Sequence, residues 1–214
     1  MAAVYGQRLA HEANESPVMT KLLAAPHRCT WCNESPLYQH YHDTEWGVPQ
    51  HHPHRVFELL CLEGQQAGLS WITVLKKRQR YREQFFDFCP QQVAALTDSQ
   101  LDERLLDAGL IRHRGKLVAI RTNARAWLAM AAQGVDPAVW IWTFAPPPRA
   151  ARGANDPLPS QTEASQALSK ALKKNGFAFV GATTCYAFMQ AIGMVNDHDA
   201  TCFLSPLHAT LPHC

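Results

Sequence analysis

Apolar residues return every third or fourth position along most of this chain, and nowhere do they settle into the two-residue rhythm of a half-buried strand. That periodicity restricts the fold to packed helices. Val56, Phe57, Leu59, Leu60 and Leu62 form a stripe between Pro53 and Gly64. Ser70 stands where an N-cap would open a second helix, running through Val74 and the basic 76–82 stretch. Thr97 and Gln100 have capping-box spacing ahead of Leu101, Leu105 and Leu106, with Gly109 where a helix would stop. Leu117, Ile120, Ala124, Trp127, Leu128 and Ala131 continue the pattern to Gly134, and Asp136-Pro137 suits another helix start. Ser160 with Glu163 suggests a second capping box for a helix through Leu168 and Leu172 to Gly176, and a last helix spans 181–192. The expected architecture is all-α, an irregular bundle. One domain covers 28–214, residues 1–27 form an extension, and the Pro-, Ala- and Gly-rich 145–160 stretch is a surface loop.

Composition narrows the functional classes. The 214 residues are 47% hydrophobic and carry a net charge of only +2, which supports a real core and excludes a strongly basic nucleic-acid coat. Between Trp71 and Arg125, however, eleven Lys/Arg face six acids, an excess of +5 that suits either a phosphate-facing surface or a solvated helix face. No apolar run is long enough to cross a bilayer, and residues 1–26 lack a signal-peptide pattern, so no membrane partner is expected. Seven cysteines, an odd number, fit a reducing compartment and cytoplasmic localisation better than a disulfide framework.

Three constellations can carry chemistry. Cys29 and His42 near the start, with His198-x-x-x-Cys202 near the finish, make a two-thiolate, two-imidazole set suited to one closed, structural Zn2+. Cys32 is a rival ligand, and the tail's His208, His213 and Cys214 are further ones. Trp31, Tyr38, Tyr41, Trp46 and Trp71 gather aromatic faces around Glu63, either as core or as a stacking pocket with a carboxylate that accepts hydrogen bonds and attracts a cation. Asp107 to Lys116 links two helices; Gly109 can take a positive φ, and Arg112, Arg114 and Lys116 surround a helix start, forming an anion site or an ordinary connection.

These segments resemble the 3-methyladenine DNA glycosylase I family. The resemblance is carried by Arg28-Cys-Thr-Trp31, Tyr41-His-Asp-Thr-Glu-Trp-Gly-Val-Pro49, the continuous stretch from Cys61 to Lys77, Ile111-Arg-His-Arg-Gly-Lys116, Leu168 to Lys174 and Val195-Asn-Asp-His198, in order from about Arg28 to Cys202. It implies an all-helical enzyme of the helix-hairpin-helix superfamily that extrudes an alkylated base from double-stranded DNA and hydrolyses its glycosidic bond. It implies zinc on Cys29, His42, His198 and Cys202, a base pocket of Tyr41, Trp71 and Glu63 walled by Trp31, Tyr38 and Trp46, and Leu69 as a wedge with Gln66 beside it. Glu63 is the key polar residue. Gly109, Arg112, Arg114 and Lys116 would meet DNA. Asp136 and Asp156 lie downstream of the hairpin without a recognisable context for supporting a sugar cation, and no lysine suggests a lyase step. A monofunctional, monomeric hydrolase is expected.

Overall fold

The computed structural model describes residues 26–32, 35–148, 153 and 156–207. The expected 1–27 extension, part of the 145–160 loop and the tail ligands from His208 onward therefore lie outside the described residues, wholly or nearly so. Among the described residues there are ten α-helices, two short 3-10 turns and no strand.

The organising element is α2 (Pro53–Gln66), opened by Pro53 in the first turn and buried almost all round from Val56 to Gln65. It packs against α3 (Trp71–Leu75), α7 (Arg114–Ala132), α8 (Pro137–Trp142) and α10 (Ala182–Ala191). On the outer side of α7 lie α5 (Pro90–Ala94) and α6 (Asp98–Leu105), while α9 (Glu163–Lys174) backs α10. The remaining helices are α1 (Pro36–Thr44), which brings Tyr38, Tyr41 and His42 inward, and α4 (Arg78–Gln84). Phe57, Phe85, Phe88, Tyr81, Leu117 and Ile120 fill the centre.

Several expected boundaries are realised. Thr97 and Gln100 exchange both hydrogen bonds of a capping box, and Asp136 caps α8 by accepting from the amides of Ala138 and Val139. Others differ, for identifiable reasons. The helix expected from Ser70 to Arg82 is two helices, α3 and α4, with the break at 76–77. The break turns Arg78 inward, where it is 6% exposed and donates to Glu58, rather than leaving it on a solvent face. The cap of α9 is Thr162 with Ser165, not Ser160 with Glu163: the Thr162 hydroxyl accepts from the Ser165 amide, and the Thr162 amide donates to the Ser165 hydroxyl oxygen. Gly109 does not have a positive φ. A Cβ there would stand 2.6 Å from Arg80 Cγ, so the site demands glycine for closeness, not for handedness.

Candidate active site

Tyr38 and Tyr41 on α1, Trp46 just beyond its end and Glu63 on α2 face one space, and α3 adds Trp71. With Trp31 they line a cavity of about 170 Å³, which Gln66, Leu158, Ala187 and Gln190 complete. An apolar cavity of roughly 150 Å³ accommodates benzene, so this one has the scale of a single flat heterocycle. The rings are set at angles to each other, not in a parallel stack. Trp31 meets Tyr38 and Trp46 edge-on at 4.9 Å each, and Tyr41 lies 5.3 Å from Trp71. A planar guest would replace these tilted contacts with ring faces.

Glu63 is the only acid in the lining among the described residues. Burial pushes its carboxyl up to about 8, against the opposing pull of the Arg78 guanidinium. Its Oε2 is buried with no hydrogen-bond partner, as are the indole Nε1 atoms of Trp31 and Trp71. Three unpaired buried polar atoms around one cavity are costly in an empty fold and point to a ligand that satisfies them. Burial, followed by the nearby Glu63 charge, also raises the Tyr41 hydroxyl's pKa, so this phenol is a neutral donor.

Beneath the cavity lies an ionic layer that sequence reasoning missed. Glu58, 3% exposed, accepts from Arg55, from Arg78 Nε at 2.8 Å and from Arg82 Nε at 2.8 Å. Glu45 accepts from Arg78 at 2.7 Å and from Arg55 at 3.1 Å. Burial alone would raise Glu58's pKa; the three arginines outweigh it and hold the carboxyl below its usual range. The basic run 76–82 therefore sends two of its arginines into this layer. The signal was present in sequence as Glu58, twenty positions before Arg78 on an apolar stripe, but only the α3–α4 break shows that they meet.

Beside the cavity, a cleft of about 210 Å³ runs between the 67–69 turn and the start of α10, and Glu63 and Gln66 line both spaces. Leu69 stands on its rim, 41% exposed, on a turn made possible by Gly68 at φ +78°.

The hairpin residues are distributed differently from the expectation of one basic anion site. Lys116 is a correction: its side chain is buried and its ammonium donates to the carbonyls of Gln65 (2.8 Å) and Ala67 (2.7 Å), the last carbonyls of α2. It is a clamp on the end of α2 and cannot reach a phosphate. Arg114 pairs with Asp102 at 2.7 Å on the surface, Arg80 with Asp107 and Glu83, and Arg121 with Asp98. Of the eleven basic residues between 71 and 125, Lys76 and Arg112 are exposed without a described partner. The other nine are thus engaged by carboxylates or carbonyls of the same chain, some buried and some on the surface. His113, not singled out from sequence, caps α7 by accepting from the Lys116 amide.

On the far side of Trp46 and Trp31 lies the candidate metal centre. Cys29, His42 and Cys202 bring their ligand atoms within 4.8 Å of one another, all three buried. Cys202 Sγ is 3.4 Å from His42 Nε2, close to the roughly 3.5 Å edge of a tetrahedral Zn–S/Zn–N site. His198 is outside this tightest set but stands edge-on to His42, centroids 4.8 Å apart. Both imidazoles have Nδ1 engaged, His42 with Asp43 at 2.8 Å and His198 with Asn196 at 2.9 Å. His42 Nε2 meets Cys202 Sγ, and His198 Nε2 is buried without a partner among the described residues. Burial holds His198 near pKa 4, hence neutral, the state a metal ligand requires. Cys32 is also buried but is not part of the compact set. The centre and the cavity share walls: Trp46 packs on the His198 ring at 4.6 Å and Trp31 on the His42 ring at 5.3 Å.

The described residues form an all-helical scaffold whose aromatic cavity has a buried carboxyl in its lining and opens beside a cleft with Leu69 on its rim. The chain matches the model of the methyladenine glycosylase family over residues 31–205. It belongs to that family. It is 52% identical over 181 residues to the DNA-3-methyladenine glycosylase 1 of Escherichia coli K12, covering 84% of this chain and 97% of that protein. Its fold matches a crystal structure of 3-methyladenine DNA glycosylase I with TM-score 0.82 at 53% identity, covering 84% of this chain and all of the other. A Staphylococcus aureus structure described as the basis of 3-methyladenine recognition aligns with TM-score 0.76 at 35% identity, covering 82% of this chain and 94% of that one.

Proposed function

We propose that the chain excises 3-methyladenine from double-stranded DNA, hydrolysing the N-glycosidic bond and leaving an abasic site. The observation that carries this reading is Glu63: a buried, unpaired carboxyl in an aromatic cavity within a member of this family. Methylation at N3 gives the base a positive charge. In the empty cavity Glu63 is neutral at pH 7, and an entering cation favours its ionised form, so charge is recognised by an interaction that a neutral adenine does not provoke. The tilted rings add cation–π attraction.

The nucleotide must first leave the stack, at a cost of about a few kcal/mol. Leu69, on the rim of the cleft that joins the cavity, is the residue suited to fill the gap, with Gln66 beside it. When the C1′–N9 bond breaks, its electron pair returns to the base and cancels the charge; water then adds to C1′ and releases a proton. The leaving base is already activated, so Glu63 acts mainly by recognition. The connection between α6 and α7 is read as the hairpin of the helix-hairpin-helix class. Arg112, the His113–Gly115 turn and the Gly109 region would meet the phosphates, with Arg114 shared with Asp102. Arg112 is the exposed cation supporting that reading.

The metal is proposed as one Zn2+ on Cys29, His42, His198 and Cys202. The buried, unpartnered Nε2 of His198 supports the fit, and four protein donors would leave no position for water, so its role is structural. The chain is proposed to act as a monomer in the cytoplasm; no helix among the described residues is long and apolar enough to cross a membrane.

The test is release of free bases from methylated duplex DNA. Free 3-methyladenine should appear with wild-type protein and fall at least about a hundredfold with Glu63→Ala. Binding to DNA with no base release would support a non-catalytic module instead.

A further inference from the structure

The cavity holds a second acceptor whose direction is dictated by a buried acid. Gln190, on the last turn of α10, lines the cavity. Its Nε2 donates to Asp197 Oδ2 at 2.7 Å, and the same oxygen accepts the Tyr186 hydroxyl at 2.5 Å. Asp197 is 1% exposed. An amide can ordinarily present either end, but here Asp197 Oδ2 accepts from both the Tyr186 hydroxyl and the Gln190 amide. The Asp197 oxygen therefore selects the NH₂ end of Gln190, leaving Oε1 as the other face of the amide. Oε1 accepts no hydrogen bond among the described residues, and it is absent from the buried unsatisfied atoms, so it retains access to open space.

The backbone fixes this side chain as firmly as the hydrogen bonds do. The Gln190 carbonyl accepts from the Gly47 amide at 3.0 Å, and the Gln50 amide donates to Ile192 at 2.9 Å. Gly193, at φ +69°, allows the turn to press on Val48, where a Cβ would lie 2.2 Å from the carbonyl carbon. Gln190 is thus tied to the Trp46 wall on one side and to Asp197 on the other.

We propose that Gln190 Oε1 is a specificity-determining acceptor for the exocyclic amine of the extruded base, with Asp197 and Tyr186 as positioning residues. The proposal rests on the glycosylase reading. In an adenine nucleotide methylated at N3, N9 is bonded to the sugar, and the only N–H donors are the two hydrogens of the C6 amine. The cavity offers the Glu63 carboxyl and Gln190 Oε1 as acceptors, one for each hydrogen. A purine with a carbonyl at C6 would turn an oxygen toward the fixed Oε1 and lose the bond. Because Asp197 blocks the amide flip that would rescue such a base, the site discriminates against it.

The test compares 3-methyladenine with 3-methylhypoxanthine, in which a carbonyl replaces the C6 amine and the ring carries an N–H, by quenching of tryptophan fluorescence. Wild-type protein should prefer the amine, and Gln190→Met should shrink the preference by about fivefold to tenfold, mainly by weakening 3-methyladenine. Asp197→Asn, which lets the amide turn, should shrink it by improving the carbonyl base. A structural role alone would weaken both bases equally, and an unchanged ratio in a folded Gln190→Met protein would overturn the proposal. If Gln190→Met does not fold, Asp197→Asn decides: an unchanged ratio there overturns it too. If wild-type protein releases no base from methylated DNA, the glycosylase reading fails; release with an unchanged ratio in the variants rejects Gln190 alone.

Discussion

Glu63 sets function against stability within one side chain. Its carboxyl ionises near pH 4.5 in an unfolded chain and at about 8 in the fold. Because the folded pKa is raised, the folded state holds the extra proton between those values, and stability falls as pH rises through that window by about 1.4 kcal/mol per unit. Glu63→Gln, which has nothing to ionise, should therefore melt higher than wild type at pH 8 and close to it at pH 4, while losing most base excision. Thermal melts across pH check the first part; equal pH slopes for the two proteins would remove the buried-acid account. The residues of this pocket were legible only unevenly. Tyr41, Glu63 and Trp71 stood out because they lie in long motifs shared with a known family. Gln190, Asp197 and Arg78 did not, because each matters through a partner supplied by a different turn or helix, and periodicity shows only that a position is inward.

At the scale of elements, the ends of α2 and α7 are joined by one buried ammonium. Lys116 removes two terminal carbonyls of α2 from solvent competition, and Gln65 returns the contact by donating to the Lys116 carbonyl at 3.0 Å. Lys116→Met should cost on the order of 3 kcal/mol, since the carbonyls would be left without their charged donor. Its DNA affinity should nevertheless keep the wild-type salt slope. Arg112→Ala should do the reverse, sparing the melting temperature while reducing the slope of log K against log salt by about one contact. Denaturant melts beside DNA titrations at several salt concentrations separate the two. The helices themselves were largely readable: α2, α7 and the Thr97 box follow from apolar spacing and cap chemistry. The α3–α4 break was not, because no Gly or Pro interrupts the run 70–82, and Glu58, which Arg78 meets beyond the break, lies on another helix. Gly109 likewise looked like a turn glycine; the overlying Arg80 side chain is visible only in three dimensions.

The whole molecule is closed on itself. His42 and Cys202 are 160 positions apart and touch, and their cluster shares aromatic walls with the cavity. On the proposed zinc reading, Cys202→Ser should lower zinc below one per chain, drop the melting temperature by about 10 °C and weaken 3-methyladenine binding, because Trp31 and Trp46 lose their backing. Metal analysis with calorimetry tests this; full zinc occupancy in the variant would reassign the ligand. Closure across so many residues also has a consequence in time. Contacts between distant positions carry the largest chain-entropy cost and are reached late in folding. A chain emerging from a ribosome will have released Glu63 and the pocket's five rings long before Gln190, His198 and Cys202 exist. During synthesis it is therefore a partly assembled bundle with no finished pocket, and competence for repair arrives in one step when its last segment docks.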